Sequence, residues 1–131
     1  KKRLFEMSGF LTKLVSANGA LDIVIGVLGF VNSKRLQAVQ QSLGSTMTAP
    51  ITNRLASWFL ICIGFMRLQL HFFKTDKSAY WNAFVSYVAE ATWMFSETVK
   101  GTTSNPMTSV ILYALAYFTY KDMQQIKAQK Q

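Results

Sequence analysis

Residues 51–73 read ITNRLASWFLICIGFMRLQLHFF and residues 79–99 read AYWNAFVSYVAEATWMFSETV, with only KTDKS, residues 74–78, between them. Each run is long enough to cross a membrane as a helix, because a spanning helix needs about 17–25 residues. The apolar residues are continuous rather than alternating, which disfavours strands with one buried face. The short polar break therefore predicts a tight antiparallel hairpin of two transmembrane helices.

Two further apolar runs extend this pattern on both sides of the hairpin. Residues 10–31 form the first, and residues 107–123 form the last, which reaches spanning length only if it continues to Met123. Ala49-Pro50 and Asn105-Pro106 precede the second and fourth runs, and proline is favoured at the start of a helix. The sequence predicts a single all-α domain, an integral membrane four-helix bundle with spans at 10–31, 51–73, 79–99 and 107–123. Three spans plus one interfacial helix are the alternative.

Composition supports a membrane protein. Of the 131 residues, 50% are apolar and 15% are charged, whereas soluble domains carry about 25% charged residues. The same composition excludes intrinsic disorder. With one cysteine, Cys62, and one histidine, His71, the chain has no disulfide framework and no cysteine-based metal site of its own. It also has no Gly-x-Ser-x-Gly motif and no glycine-rich phosphate loop, so we expect neither catalysis nor a cofactor.

The net charge of +8 comes from basic residues at the termini and in the polar breaks. We predict that Lys34, Arg35, Lys74 and Lys77 contact lipid headgroups, with cardiolipin as a candidate bound phospholipid. No basic stripe or RNA-binding motif is present, so nucleic acid is not expected as a partner. With four spans, both termini share the more basic side, which predicts that they face the matrix or the cytoplasm. Residues 33–43 fit either an amphipathic surface helix or a polar loop.

Five charged residues lie within the predicted spans, namely Asp22, Arg54, Arg67, Glu90 and Glu97. Folding the hairpin at 74–78 puts Arg67 within about 7 Å of Glu90 along the helix axis, and Asp22 lies at a similar depth. Arg54 then lies level with Glu97 near the far headgroups, and points about 140° away from Arg67. This intramembrane charge network is either a proton or ion path or a salt-bridge network that fixes helix packing. We favour packing, because the chain shows no broken helix or repeated half.

Small residues accompany these charges. Gly19, Gly26 and Gly29 form one stripe with Asp22 on the first helix, and Ala83 and Ser86 share a stripe with the two glutamates of the third. Stripes of small residues let transmembrane backbones approach closely. We therefore predict that helix packing takes place along these two stripes.

The region 54–103 also shows a characteristic spacing of specific residues, namely Asn53-Arg54, Trp58, Arg67, Tyr80, Phe84, Tyr87, Ser96-Glu97 and Gly101-Thr102. With this spacing the region resembles the family of small four-span endoplasmic-reticulum proteins that tether the sterol C-4 demethylation enzymes. The two arginines and Ser96-Glu97 are the most specific part of the resemblance. The family has Thr-Phe-Gly where this chain has Leu55-Ala56-Ser57, and His-Phe where it has Met94-Phe95, so the resemblance implies a divergent relative.

Three functional hypotheses follow. The first is a non-catalytic accessory subunit of a mitochondrial inner-membrane energy-converting assembly, an ATP synthase or respiratory complex, packed against other integral membrane proteins and lipids. Two observations favour it, namely the divergence from the sterol family and the basic start Lys1-Lys2-Arg3, which fits the end of an organelle-targeting segment or a trimmed chain. The alternative is an endoplasmic-reticulum scaffold for sterol C-4 demethylation enzymes. The third hypothesis is a small proton or ion carrier using Asp22, Arg67 and Glu90.

Overall fold

The computed structural model describes residues 2–31, 34, 50–101 and 106–129. Within these residues the secondary structure is four α-helices and no strand, which confirms the all-α class. Each predicted apolar run lies in one helix, except that Phe73 follows the end of the second. Apart from Lys34, the stretch 33–43 lies outside the described residues. The helices are α1 (Lys2–Val31), α2 (Pro50–Phe72), α3 (Lys77–Val99) and α4 (Met107–Gln129).

The break predicted at 74–78 is a tight turn followed by a capped helix start. The backbone N–H of Asp76 donates to the carbonyl of Phe73 at 3.0 Å. Its side chain accepts from the backbone N–H of Ser78 at 2.9 Å, the usual N-cap interaction. At the other end of α3, Gly101 has φ +74°, a left-handed conformation that glycine adopts without a steric penalty. Local signals therefore define both ends of α3.

Neighbouring helices in the chain run antiparallel. On α1 and α2, Gly19 lies against Gly64 while Gly26 lies against Ser57, so the contacts advance along one helix as they retreat along the other. The other two neighbouring pairs show the same reversal. Between α2 and α3 the contacts are Arg67–Ser86 and Phe59–Trp93. Between α3 and α4 they are Phe84–Tyr120 and Thr92–Tyr113. Because helix direction alternates, the start of α1, the α2–α3 turn and the end of α4 lie at one end.

Helices α1 and α3 run parallel and in register. The hydroxyls of Thr12 and Tyr80 lie 3.4 Å apart, and Asn18 on α1 contacts Tyr87 on α3 at 3.4 Å. These contacts advance together along both helices. Helix α2 packs against both α1 and α3, whereas α4 packs mainly against α3. The first three helices therefore enclose a shared interior. A side chain on α2 that points into this interior can reach both α1 and α3.

The distribution of polar and apolar residues is unlike that of a soluble domain. Among the described side chains, several polar ones are buried while large apolar ones lie on the outside, including Val31 at 82% exposure and Phe72 at 70%. Within the part of the chain that the structure describes, two segments, Gly9–Val31 and Arg54–Phe72, are by length and composition long and apolar enough to cross a membrane. Among the residues whose burial the structure describes, the buried polar and charged ones are Thr12, Ser16, Asp22, Ser57, Arg67, Ser86, Ser109 and Thr119.

Candidate functional site

Arg67 lies at the centre of the bundle and is fully buried. Its three guanidinium nitrogens donate to three different residues on two neighbouring helices. Nη1 donates to Asp22 Oδ2 on α1 at 2.6 Å, Nε donates to Ser86 Oγ on α3 at 3.0 Å, and Nη2 donates to Glu90 Oε2 on α3. The planar guanidinium is suited to this arrangement because its donors point in fixed, divergent directions. One side chain of α2 thus links α1 to α3.

Two further side chains complete the site. The guanidinium carbon of Arg67 lies 3.8 Å from the centre of the Tyr87 ring, a cation–π contact. The Asn18 amide donates to Asp22 Oδ2 at 3.3 Å and to the Tyr87 hydroxyl at 3.4 Å. We refer to Asn18, Asp22, Arg67, Ser86, Tyr87 and Glu90 as the Arg67 network. Asn18 connects the carboxylate side of this network to its aromatic side.

Helical periodicity explains why these residues meet. Asn18 and Asp22 are separated by four residues on α1, as Ser86 and Glu90 are on α3, so each pair shares one helix face. Gly19 lies on the same part of α1. A Cβ atom at Gly19 would lie 2.8 Å from Cβ of Arg67 and 2.7 Å from the carbonyl oxygen of Gly64. The missing side chain at Gly19 therefore makes room for Arg67 between α1 and α2.

The network is well shielded. The Arg67 side chain has 0% exposure, Asp22 has 9% and Glu90 has 16%. Both carboxyl groups direct one oxygen to the same guanidinium. A buried charge is tolerated only when it is paired and hydrogen-bonded, and each nitrogen of Arg67 meets that condition. The geometry can hold three helices in a fixed register.

The structure brings together Asp22, Arg67 and Glu90 but places Arg54 and Glu97 outside the Arg67 network. Arg54 is exposed, because it lies thirteen positions before Arg67 and therefore points from a different face of α2. Glu97 lies two turns beyond Glu90, and its Oε1 accepts from Lys100 Nζ at 3.3 Å. These two charges belong to the end of the bundle opposite the α2–α3 turn.

The predicted packing and headgroup residues lie as follows. Gly19, Gly26 and Gly29 are buried on α1, and Ala83 and Ser86 are buried on α3. The predicted headgroup contacts Lys34, Lys74 and Lys77 are exposed, and Arg35 lies outside the described residues. Lys77 also borders a groove of about 490 Å³ between the start of α3 and the end of α4. The groove is lined by Lys77, Ser78, Trp81, Asn82, Tyr120, Met123 and Gln124.

Sequence reasoning did not place three residues, Asn18, Tyr87 and Gly64, in the charge network or at the helix contacts beside it, although it named Tyr87 among the residues that carry the family resemblance. Asn18 lies one turn before Asp22, so a search of that face of α1 for polar residues would have found it. Gly64 lies three residues before Arg67, and a Cβ atom there would lie 2.6 Å from the carbonyl oxygen of Gly19. Tyr87 carries no comparable signal, because a tyrosine in an apolar helix is as typical of packing or of a membrane interface.

Comparison of the chain with protein-family models, with curated proteins and with solved structures finds no match. The resemblance to the sterol C-4 demethylation scaffolds therefore stays a prediction from the sequence, and two of the residues that carry it, Arg67 and Tyr87, lie in the site. Among the described residues, no group of three or more His, Cys, Asp or Glu side chains is placed to hold a metal ion.

Proposed function

We propose that this chain is a non-catalytic multi-pass membrane scaffold, an accessory structural subunit of a larger membrane complex. The observation that carries the proposal is the reversed distribution of polarity, with Arg67, Asp22 and hydroxyl side chains inside and large apolar side chains outside. In water such an exterior would drive aggregation. In a bilayer it faces lipid or other transmembrane helices, while polar groups find their partners inside the bundle.

The Arg67 network supports a structural role over a transport path. All three guanidinium nitrogens are occupied by side chains of α1 and α3, and the ring of Tyr87 covers one face. The α1–α2 interface is equally closed, because Gly19, Gly26 and Gly64 bring the two backbones into contact. Tight packing of this kind favours a rigid bundle that presents its outer surface to partners.

The partners we propose are other integral membrane proteins and anionic lipids. The mitochondrial inner membrane is the proposed location, with an ATP synthase or respiratory complex as the assembly and both termini on the matrix side. Lys74 and Lys77 are exposed at one end of the bundle, and Lys77 borders a groove together with Trp81 and Tyr120. These positions support contacts with headgroups such as those of cardiolipin.

Native electrophoresis tests the proposal. The tagged protein is extracted from its own membranes in a mild detergent, resolved by blue-native electrophoresis, and the proteins in its band are identified by mass spectrometry. We expect co-migration with a respiratory or ATP-synthase assembly, and loss of that co-migration after treatment with dodecyl sulfate. A band at monomer size with no other protein in it would refute the scaffold role.

The sterol scaffold remains a second candidate because the Arg54-to-Arg67 and Arg67-to-Tyr80 spacings resemble those of that family, and Ser96-Glu97 resembles its Ser-Glu motif. In that case the protein would reside in the endoplasmic reticulum and tether the C-4 demethylation enzymes. Deletion of the gene would then lead to accumulation of C-4-methylated sterols, and the native band would contain sterol-modifying enzymes. An unchanged sterol profile would remove this candidate.

A further inference from the structure

The groove beside Lys77 lies between the first turns of α3 and the last turns of α4, and its volume is about 490 Å³. This volume falls within the range of about 300–1,000 Å³ that is typical of small-molecule sites. Of the described residues that line the groove, Lys77 is the only charged one. Hydroxyl and carboxamide groups come from Ser78, Asn82, Tyr120 and Gln124. The groove therefore offers one cation and several hydrogen-bonding groups, with no carboxylate among these lining residues.

Lys77 makes no ion pair within the described part of the chain. Asp76, the residue before it, caps α3 by accepting from the backbone N–H of Ser78, and it is not among the residues that line the groove. An exposed ammonium group beside hydrogen-bonding side chains is suited to a phosphate group, which lysine binds as a point charge. The chemistry of the groove therefore favours an anion, and a phosphate in particular.

Aromatic rings lie on the side of the groove nearer the middle of the bundle. The ring centres of Trp81 and Phe84 are 5.3 Å apart, and those of Phe84 and Tyr120 are 5.5 Å apart, so the three rings join α3 to α4. Phe84 follows Lys77 by about two turns of α3, and Tyr120 precedes Gln124 by about one turn of α4. Polar groups thus lie toward the end of the bundle and rings toward its middle. A phospholipid has the same order from headgroup to acyl chain, and tryptophan and tyrosine are enriched at this level of a membrane.

We infer that the groove binds one anionic phospholipid, with its phosphate at the Lys77 ammonium group and its acyl chains running past Trp81 and Tyr120 toward the middle of the bilayer. This inference rests on the proposed placement of the bundle in a membrane, and it adds a defined site and a lipid preference to that proposal. A zwitterionic headgroup is disfavoured, because its own cation would lie close to Lys77 with no carboxylate from the described lining residues to pair with it.

Quenching of Trp81 fluorescence by brominated lipids tests this site. All samples carry Trp58→Phe and Trp93→Phe, which leave Trp81 as the single tryptophan. The purified full chain is reconstituted into phosphatidylcholine vesicles with a minor fraction of either phosphatidylglycerol or phosphatidylcholine that is brominated near the glycerol end of its acyl chains. We expect brominated phosphatidylglycerol to occupy the site about fivefold more strongly, which corresponds to about 1 kcal/mol for one basic residue at a membrane surface.

Substitutions of the two lysines at this end of the bundle locate the preference. Lys77→Gln should abolish it and Lys77→Arg should retain it, because only arginine keeps a cation in the groove. Lys74→Gln is the matched control and should retain the preference, since Lys74 is exposed in the turn but does not line the groove. An equal loss in Lys77→Gln and Lys74→Gln would indicate general electrostatic attraction and overturn the site. Full displacement of the lipid by soluble glycerol phosphate at the same concentration would assign the groove to a free anion instead.

The two brominated lipids also distinguish failure of this site from failure of the proposed function. Equal quenching by both lipids in the parent protein would show that Trp81 faces lipid without a preference. That result would overturn the groove site and leave the scaffold role intact. Absence of quenching by either lipid would show that this end of the bundle does not contact the bilayer, and would overturn both the site and the membrane placement on which it rests.

Discussion

Arg67 is the residue on which the register of three helices depends. Replacing it with leucine removes the donors for Asp22, Ser86 and Glu90 and leaves two buried carboxyl groups without a cation. Breaking a buried ion pair by removing one partner costs about 3–5 kcal/mol. We therefore expect Arg67→Leu to lower the thermal unfolding midpoint in mild detergent markedly. Arg67→Lys should recover only part of the loss, because an ammonium group lacks the divergent fork of a guanidinium.

The matched control for this prediction is Arg54→Leu on the same helix. Arg54 is exposed and lies outside the Arg67 network, so we expect its replacement to leave the unfolding midpoint nearly unchanged. Equal midpoints for Arg67→Leu and Arg54→Leu would show that the Arg67 network does not stabilise the bundle.

Tyr87 contributes through its ring rather than through its hydroxyl. The ring lies 3.8 Å from the guanidinium carbon of Arg67, whereas the hydroxyl receives only a long hydrogen bond of 3.4 Å from Asn18. We expect Tyr87→Phe to stay close to the parent protein in unfolding free energy. Tyr87→Leu should lose about 0.5–2 kcal/mol from the cation–π contact, in addition to packing. Denaturation in mixed micelles would measure both, and a larger loss for Tyr87→Phe would assign the stabilisation to the hydroxyl.

At the scale of the element, the α1–α2 pair depends on the absence of side chains. A Cβ atom at Gly19 would lie 2.7 Å from the carbonyl oxygen of Gly64 and 2.9 Å from the backbone nitrogen of Leu68. Both contacts are with backbone atoms, so Gly19→Ala can be accommodated only if the helices move apart. We expect the free energy of unfolding of this variant to fall by about 1–3 kcal/mol, the usual cost of overpacking. The ion pair between Arg67 and Asp22 should also weaken. Thermal unfolding in detergent measures the loss.

Gly9→Ala is the matched control on the same helix. A Cβ atom at Gly9 meets nothing within 4 Å, and alanine is the better helix former by about 1 kcal/mol. The two glycine-to-alanine changes should therefore alter stability in opposite directions. If Gly19→Ala also stabilised the protein, the close α1–α2 approach would be wrong.

Counting along the helices was enough to predict much of this arrangement, but not its rotational details. The apolar runs predicted the helices, and the hairpin at 74–78 placed Arg67 at the depth of Glu90 and Asp22. Axial position follows from residue number because each helical residue rises 1.5 Å. The direction in which a helix faces depends on packing against its neighbours, which a single sequence does not specify. Tyr87 and Gly64 lie in the site because of the direction in which α3 and α2 face.

At the scale of the whole molecule, the four helices form a bundle whose first three members share one buried network. Helix α4 contributes differently, since it packs mainly against α3 and borders the groove beside Lys77. The apolar exterior extends over all four helices, with exposed residues such as Leu21, Phe65, Phe95 and Phe118. A bundle with charged groups inside and apolar groups outside is stable only if its exterior is shielded from water. Membrane insertion is therefore the property to test first on the intact protein.

The chain's own cysteine offers that test. Cys62 lies within α2 and is exposed on its surface, so it faces lipid or a partner helix if α2 spans a membrane. A thiol must form a thiolate in contact with water to react with a charged maleimide. We expect no labelling of Cys62 in native membranes and rapid labelling after dissolution in dodecyl sulfate. The control is Lys74→Cys in a Cys62→Ser background, where the exposed turn between α2 and α3 should react in opened membranes without detergent. If Cys62 reacted as fast as this control, α2 would be in contact with water, and the bundle would have to cover its apolar exterior in some way other than by spanning a bilayer.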